Sequence, residues 1–416
     1  MREMKDSGIS WVGEIPKEWT IMPLYCFYSE RKNKNIFGAE NNLLSLSYGK
    51  VIRKDINTSE GLLPSNYNGY NIVEAGDIII RPTDLQNDKR SLRTGLSKER
   101  GIITSAYIAL KPKNGINSRF YHYLLHTYDI LKVFYNMGNG VRQGLNYDEF
   151  AKLMVYSPSD IEQQRIAEFL DRACGKIDGL KADIQAQIDT LEQYKRSVIT
   201  EAVTHGLNPS APMKDSGIPW VGQFPTHWTK KKGKYILRYM SKPVKQDDGV
   251  ITCFRDGEVT LRSNRREDGF TMADKEIGYQ GVDVGDLVVH GMDGFAGAIG
   301  ISDSRGKASP VLNVLNTKQN KKYIMYYLRS MAYGEVFTAL STGIRVRSCD
   351  LRWNKLAELL YPLPPIDEQN NIVNYIDEQI ARTNEIIADK KSQIETLDGY
   401  KKSLIYEYVT GKKEVI

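Results

Sequence analysis

The histidines and cysteines of this 416-residue chain are the first place to look for chemistry. His122 and His126 stand four residues apart in RFYHYLLHTYDIL, a spacing that puts two metal ligands on one face of a helix. No acidic or cysteine ligand is near them in sequence, and the segment has the pattern of an amphipathic core helix. The four cysteines lie far apart without a CxxC pair, which favours separate reduced thiols: Cys26, Cys174, Cys253 and Cys349. We therefore expect no metal site.

Motifs for nucleotide hydrolysis and methyl transfer are also missing. GISDSRGKAS (300–309) has the wrong spacing for a phosphate-binding loop, and it has Ala308 where Ser or Thr would hold magnesium. There is neither a GxGxxG after a strand nor an Asn-Pro-Pro-Tyr-like tetrad for a flipped base. Asp367 and Glu368 in LPPIDEQ fit the negative charge favoured in a first helical turn. The sequence predicts no catalytic residues.

Basic residues indicate a different chemistry, the binding of nucleic acid. The net charge is +6, but residues 161–205 and 366–416 are net acidic and leave a clear positive excess elsewhere. That excess is concentrated at 81–100, 254–267 and 343–348, among Asn, Gln, Ser and Tyr. Such loops supply the phosphate anchors and base-edge hydrogen bonds that DNA recognition needs. A charge run can also be only a solvated face, yet its occurrence in two unlike parts of the chain favours DNA.

The candidate DNA contacts divide between base readers and phosphate or groove contacts. For each of them the alternative is solvation or a local salt bridge. In the first half the readers are Arg142 and Gln143, and the other contacts are Arg81, Lys89, Arg90 and Arg93. In the second half the readers are Arg345 and Arg347, and the other contacts are Arg255, Arg262, Arg265 and Arg266.

The elements that must position these residues occur twice. MKDSGISWVGEIPKEWT (4–20) and MKDSGIPWVGQFPTHWT (213–229) agree at 12 of 17 positions. EQQRIAEFLD (162–171) and TLEQYKRSVITEAVT (190–204) return as EQNNIVNYID (368–377) and TLDGYKKSLIYEYVT (396–410). Between them lie block 1 (21–157) and block 2 (230–361), which align poorly. One scaffold is therefore repeated around two unlike blocks, and we expect the tryptophans of each opening to dock a block against the scaffold.

Two long helices with an apolar seam at spacings of three and four form the scaffold. The first seam is Ile166, Leu170, Ala173, Ile177, Leu180, Ile184, Ile188, Leu191, Tyr194 and Val198. The second is Ile372, Ile376, Ile380, Ile387, Ile394, Leu397 and Leu404, interrupted by Thr383 and Lys390. Gly206 and Pro209 should end the first helix. About 40 residues make a rod of roughly 60 Å. The simplest arrangement pairs the two rods, and the alternative packs each seam onto its own block.

Within the blocks, mixed α and β structure is expected. IVEAGDIIIRP and VDVGDLVVHG have the pattern of short strands entered through a Gly-Asp turn. Helices are predicted over 118–135 and 321–337.

This order of segments resembles the specificity subunit of type I DNA restriction-modification systems, the HsdS family, over essentially the whole chain. The resemblance is carried by the repeated opening, GDIIIRP, GDLVVHGMDGFAGAIG, the turns Gly140–Arg142 and Gly343–Arg345, and the helix entries SPSDIEQ and LPPIDEQ. The chain departs from the common pattern in SPSD at 157–160 and in three extra residues between Gly343 and Leu356, relative to Gly140 and Phe150. These departures concern loops.

The resemblance implies an α+β fold in which two long antiparallel coiled-coil helices separate two mixed α/β target-recognition domains, with pseudo-twofold internal duplication. The implied boundaries are 1–157 and 209–361 for the recognition domains, and 158–208 and 362–416 for the helices. It further implies a non-catalytic DNA reader in which each domain reads half of an asymmetric bipartite site and the helices set the spacer.

The partners that the resemblance implies are double-stranded DNA, two modification subunits that carry S-adenosylmethionine, and restriction subunits that use ATP and magnesium. With no apolar span or leader in the sequence, we expect the cytoplasm and no membrane. The rival hypotheses are a duplicated coiled-coil adaptor without DNA specificity and a self-contained methyltransferase or nuclease.

Overall fold

A computed structural model describes residues 2–57, 66–83, 85, 92–137, 144–265, 276–340 and 351–415. The chain divides into two compact units: unit 1 is Met1–Ile184 with Ser392–Ile416, and unit 2 is Gln185–Lys391. Each unit therefore contains one block and a part of each long helix.

The described residues of unit 1 form short antiparallel strands and two α-helices besides the long ones. Its strands are β1 (Met4–Asp6), β2 (Glu14–Pro16), β3 (Thr20–Pro23), β4 (Tyr28–Glu30), β5 (Leu44–Ser47), β6 (Lys50–Arg53), β7 (Asn71–Val73), β8 (Ile78–Ile80), β9 (Thr94–Leu96), β10 (Gly101–Ile103), β11 (Ile108–Pro112) and β12 (Met154–Ser157). Its helices are α1 (Ser118–Ile130) and α2 (Tyr147–Phe150), and the long α3 (Asp160–His205) begins here.

Unit 2 repeats this series of elements. Its strands are β13 (Met213–Asp215), β14 (Gln223–Pro225), β15 (Thr229–Lys232), β16 (Leu237–Tyr239), β17 (Ile251–Cys253), β18 (Val259–Leu261), β19 (Gln280–Val282), β20 (Leu287–His290), β21 (Ile299–Ile301), β22 (Gly306–Ala308), β23 (Leu312–Thr317) and β24 (Leu360–Leu363). Its helices are α4 (Lys321–Tyr333), α5 (Val336–Ala339) and α6 (Trp353–Glu358), and the long α7 (Ile366–Val409) begins here.

The strand pairing is the same in both units. The central sheet has the order β4-β11-β8-β9 in unit 1 and β16-β23-β20-β21 in unit 2. The two-stranded pairs β1-β2, β3-β12, β5-β6 and β7-β10 have the counterparts β13-β14, β15-β24, β17-β18 and β19-β22. Blocks 1 and 2 therefore share one topology although their sequences align poorly, which confirms the predicted duplication.

The Gly-Asp turns enter the central strands as predicted. Gly76 and Gly285 take φ values of +93° and +81°, a region that glycine adopts without a steric penalty. The carboxylates that follow them, Asp77 and Asp286, each accept a hydrogen bond at 2.8 Å from the backbone N–H three residues earlier. The strands β8 and β20 after these turns lie in the buried core of their units.

Helices α1 and α4 begin where the sequence predicts and end earlier. Asn117 and Asn320 cap their N-termini by accepting hydrogen bonds from the first backbone N–H groups. Shortly after each helix, a residue takes a left-handed conformation, Lys132 at φ +60° and Glu335 at φ +56°. Such a residue cannot continue a right-handed helix, so the predicted ends at 135 and 337 are too late.

The long helices α3 and α7 run antiparallel within each unit, as expected. In unit 1, Lys181 pairs with Asp398, and Lys401 donates to Asp178 at 2.6 Å. In unit 2, Lys195 donates to Asn384 at 2.8 Å and Lys390 donates to Gln187 at 2.5 Å. Within each unit, the partner on α7 comes earlier in sequence as the residue on α3 comes later, which is the antiparallel order. Helix α3 ends at His205, directly before Gly206 at φ +78°.

The seam is only partly as predicted. Leu180 and Tyr194 are 53% and 47% exposed, so their assignment to the seam is wrong. A helix of 3.6 residues per turn drifts away from a strict 3.5-residue repeat, which turns such positions outward. Thr383 is 4% exposed and donates to the Gln379 carbonyl at 2.7 Å, which satisfies its hydroxyl inside the seam. The buried seam positions include Ile166, Leu170, Ile177, Ile387 and Leu404, and the half-buried ones include Ile184, Leu191, Ile380, Ile394 and Leu397.

Candidate nucleic-acid interface

The opening sequence joins each block to the long helices. Trp19 and Trp228 are almost completely buried. The indole N–H of Trp19 donates to Glu162 in the first turn of α3 at 3.0 Å, and that of Trp228 donates to Glu368 in the first turn of α7 at 3.1 Å. The tryptophans thus dock the blocks, as expected from their repetition.

Each glutamate of the joint also contacts a second side chain, which differs between the two units. Arg2 donates to Glu162 at 2.9 Å, whereas His227 contacts Glu368 at 2.7 Å. The helix dipole favours a carboxylate in the first turn, which adds to both contacts. Glu368 is therefore a structural residue, in agreement with its prediction as helix-start charge.

A second set of joint contacts repeats between the units, with an offset of 206 for the residues of the long helices and 203 for the tyrosines. Tyr123 donates to Asp171 at 2.8 Å, and Tyr326 makes the same bond to Asp377. Gln163 donates to the Pro158 carbonyl at 3.0 Å, and its counterpart in unit 2 does so at 2.9 Å. These contacts fix the orientation of each block relative to its own part of the helices.

In each unit, a described residue that follows the predicted base-reading segment lies beside the end of a central strand. In unit 1, the backbone N–H of Leu145 donates to the Pro82 carbonyl at 3.0 Å, so the chain just after residue 143 lies beside the end of β8. In unit 2, Leu351 donates to the Gly291 carbonyl at 2.8 Å, beside the end of β20. The segments GVRQ and GIRVRS, which precede these two leucines in sequence, lie outside the described residues.

Seven candidate contacts lie outside the described residues. They are Lys89, Arg90, Arg142, Gln143, Arg266, Arg345 and Arg347. Their roles stay predictions.

Arg93 requires a correction. Its side chain is 0% exposed, and its guanidinium donates to the Thr83 carbonyl and to Tyr135 at 3.3 Å. It also lies over the Tyr135 ring at 5.6 Å. A guanidinium enclosed in this way is not presented to a phosphate, so the predicted DNA contact is replaced by a structural role. Its neighbour Arg81 is half-buried, with its backbone N–H bonded to the Arg93 carbonyl at 2.9 Å.

The candidate arginines of block 2 that the structure describes are exposed or half-exposed, and each is engaged by a local partner. Arg255 is 68% exposed and bonds Asp293 at 2.9 Å, in the turn that follows β20. Arg265 pairs with Asp256 at 2.6 Å and lies over the Phe254 ring at 4.2 Å. A phosphate would have to compete with these carboxylates, which are exposed enough to exchange partners.

Arg262 is more confined. Its guanidinium donates to the Thr252 hydroxyl at 3.3 Å across the β17-β18 hairpin. Its place at the end of β18 leaves the prediction of a groove contact open.

The sequence did not reveal a repeated ion-pair cluster beside the Gly-Asp turns. Arg100 pairs with Glu40 at 3.0 Å and with Glu74 at 2.5 Å. Arg305, inside the GISDSRGKAS segment, pairs with Asp248 at 2.8 Å and with Asp283. Hydrogen bonding from Arg305 lowers the pKa of Asp248 to about 2. The sequence feature that could have revealed this cluster is the acidic residue three positions before each turn aspartate, Glu74 before Asp77 and Asp283 before Asp286.

Comparison with known proteins gives three findings. The sequence profile of the family described as "Type I restriction modification DNA specificity domain" matches residues 30–190. A Methanocaldococcus jannaschii protein assigned as the MjaX type I restriction enzyme specificity subunit is 22% identical, over 97% of this chain and 96% of its own length. A chain from a structural study of complex assembly and conformational transition of the type I R-M system has a TM-score of 0.66 and 12% identity, covering 96% of this chain and 99% of that one.

Among the residues that the structure describes, no group of three or more His, Cys, Asp or Glu side chains could hold a metal ion. In the same residues, no helix is both long enough and apolar enough to cross a membrane.

Proposed function

Since this chain belongs to the type I restriction-modification specificity subunits, we propose that blocks 1 and 2 read the two halves of one interrupted DNA sequence. Specificity subunits recognise DNA and leave catalysis to other subunits of the complex. The proposal depends on one observation: blocks 1 and 2 have the same strand topology but unlike sequences. Two similar folds with different reading residues fit two different half-sites, and therefore an asymmetric sequence.

The position proposed for the readers is supported by the described residues that follow them in sequence. Leu145 and Leu351, which follow the two Gly-x-Arg segments in sequence, are each hydrogen-bonded beside the end of the strand that follows the Gly-Asp turn. The buried turn and the central sheet below it provide a rigid base, and binding residues on loops need such a base to keep their position. Arg142, Gln143, Arg345 and Arg347 are the proposed readers.

The long helices supply two related surfaces for modification subunits. Leu180 and Ile386 are 53% and 46% exposed and stand 206 positions apart; Tyr194 and Tyr400, at the same offset, are 47% and 57% exposed. In each unit, this repeated set contains one exposed aliphatic side chain and one exposed tyrosine on the long helices. Exposed apolar residues in a repeated arrangement favour protein contacts, and two such sets favour two modification subunits.

The remaining parts of the proposal concern chemistry outside this chain. S-adenosylmethionine would be held by the modification subunits, and ATP with magnesium by restriction subunits. The spacer between half-sites would be set by α3 and α7. A cytoplasmic location follows from the DNA substrate.

Genome-wide mapping of methylated adenines, with and without this chain, tests the recognition of DNA. Exchange of block 2 for that of another specificity subunit should change one half-site and leave the other and the spacer unchanged. If neither half-site changes, block 2 does not read DNA. The duplicated-adaptor hypothesis would regain support if the chain bound DNA only without site preference and only at low salt.

Two variants test finer parts of the proposal. Insertion of two heptads into both α3 and α7 should change the preferred spacer while both half-sites persist. Arg345→Ala should weaken binding to the specific site by about tenfold to a hundredfold, because a bidentate base contact contributes roughly 1–3 kcal/mol. Unchanged spacing would refute the first idea, and unchanged affinity with an unchanged salt slope would refute the second.

A further inference from the structure

Unit 1 contains a cleft that the proposed function does not use. Its volume is about 1430 Å³, which exceeds the roughly 300–1,000 Å³ of ordinary ligand sites. The cleft lies between the tip of the β5-β6 hairpin, one face of α1, and the unit 1 parts of α3 and α7. At its floor on α3, Gly175 faces open space, since no atom lies within 4 Å of the position a Cβ would take.

The corresponding place in unit 2 is bridged by side chains. Arg329 of α4 donates to the Asp256 carbonyl at 2.7 Å, which ties the β17-β18 hairpin tip to the helix. Two cations lie over the Tyr333 ring, Arg196 of α3 at 5.3 Å and Arg329 at 5.8 Å from its centre. Hairpin, short helix and long helix are thereby joined directly.

Unit 1 has different residues at these positions. His126 takes the place of Arg329 in α1, and Ile130 takes the place of Tyr333. Lys402 of α7 is the counterpart of Arg196 of α3, at the repeat offset of 206 residues. The hairpin tip carries Tyr48, which is 84% exposed at φ +47°. The cleft is therefore open because the bridging residues of unit 2 are replaced.

Two polar side chains in the cleft lack hydrogen-bond partners. The Nε2 atom of His122 and the Nδ1 atom of His126 are buried and unbonded. Burial lowers the pKa of His122 to about 3 and that of His126 to about 4, with smaller contributions from neighbouring charges, including Lys98 for His122 and Lys402 for His126. Both imidazoles are neutral at physiological pH and able to accept a proton or a hydrogen bond.

The cleft has more Lys and Arg side chains than carboxylates. Its carboxylates are already paired: Asp171 with Arg119, Asp178 with Lys401, and Asp398 with Lys181. The other three cations, Lys50, Lys98 and Lys402, form no ion pair with a residue that the structure describes. The cleft thus presents cations from the hairpin side and from α7 without a carboxylate to balance them. This charge favours an anion and disfavours a metal ion.

We propose that the unit 1 cleft binds a phosphate-bearing ligand, with the phosphate held by Lys50, Lys98 and Lys402 and hydrogen-bonded to His122 and His126. Ammonium–phosphate hydrogen bonds are among the stronger polar contacts, and each is stronger where water is partly excluded. The ligand chemistry could come from a free nucleotide or from the DNA backbone. The site is independent of base reading, because none of its residues is a proposed reader.

Binding should be coupled to proton uptake. A phosphate dianion close to the imidazoles favours their charged form and so raises the pKa of both histidines. Lys98, Lys401 and Lys402 oppose this effect until the phosphate offsets their charge. Affinity for the DNA duplex, whose phosphodiesters keep their charge in this range, should therefore increase as the pH falls from about 8 to about 6.

Proton NMR of the full-length chain tests the proposal directly. With five histidines, the chain gives a small set of imidazole Cε1–H signals, and His122→Met and His126→Gln identify the two of interest. Methionine already occupies the equivalent position in unit 2, at Met325, which favours a folded variant. The probes are inorganic phosphate, ATP and a short DNA duplex of unrelated sequence, each titrated at two pH values.

We expect saturable shifts of both signals, and Lys402→Ala should weaken the affinity about tenfold, as for the loss of one charge-assisted hydrogen bond. Lys231→Ala, an exposed lysine of β15 in unit 2, is the matched control and should leave the affinity unchanged. Shifts with ATP and phosphate identify a free ligand, and shifts with the duplex alone identify the DNA backbone. The proposal fails if no probe shifts these signals, or if Lys402→Ala and Lys231→Ala behave alike.

Discussion

Replacing Trp228 by Phe isolates the contribution of one joint hydrogen bond to the stability of unit 2. The indole is 0% exposed, and its N–H donates to Glu368 at 3.1 Å. Phe retains an aromatic ring but removes three buried ring atoms, which costs about 2 kcal/mol at roughly 0.8 kcal/mol for each CH₂-sized group. The lost hydrogen bond to a carboxylate costs about 1 kcal/mol more, because Glu368 is 27% exposed and keeps its contact with His227.

The expected total is a loss of about 3 kcal/mol in the free energy of unfolding of unit 2, or roughly 6–12 °C in its Tm. Urea denaturation followed by circular dichroism measures this change, and methylation mapping shows whether the half-sites are unaltered. Trp353→Phe is the control, because Trp353 is half-buried and its indole N–H bonds no residue that the structure describes. Its loss should stay below about 1 kcal/mol. Equal losses in the two variants, or a changed half-site without a loss of stability, would refute the reasoning.

Three further predictions concern stability and assembly. Since the pKa values of His122 and His126 are lowered, the unfolded chain binds protons at pH 5 that the folded chain does not, and the free energy of unfolding of unit 1 should fall by roughly 4 kcal/mol between pH 7 and pH 5. Denaturation at both pH values should show that His122→Met removes about half of this loss. Gly411→Ala should destabilise unit 1 more than Gly206→Ala destabilises unit 2, because an added Cβ would lie 2.5 Å from proline ring atoms at position 411 and 3.2 Å from the nearest atom at position 206. Calorimetry would detect the difference, and equal losses of stability would contradict the prediction. Leu180→Glu should weaken co-purification of modification subunits while the chain stays folded, and undiminished co-purification would argue against this docking surface.

The sequence was sufficient for features that depend on local pattern or on repetition. The two copies of the opening, the heptad spacing and the Gly-Asp turns each follow from residue types at fixed intervals. Helix starts were also readable, because Asn117 and Asn320 cap the first turn by a local interaction. The duplicated architecture could therefore be predicted without coordinates.

Only the tertiary structure decided which charged and apolar residues are available to a ligand or a partner. Arg93 lies in a basic stretch like its neighbours, but the fold encloses it beside Tyr135. Leu180 lies on the apolar repeat, yet it is exposed. Burial depends on residues that are distant in sequence, so a local charge or spacing pattern does not reveal it. The open cleft of unit 1 arises in the same way, from His126 standing where Arg329 closes the cleft in unit 2.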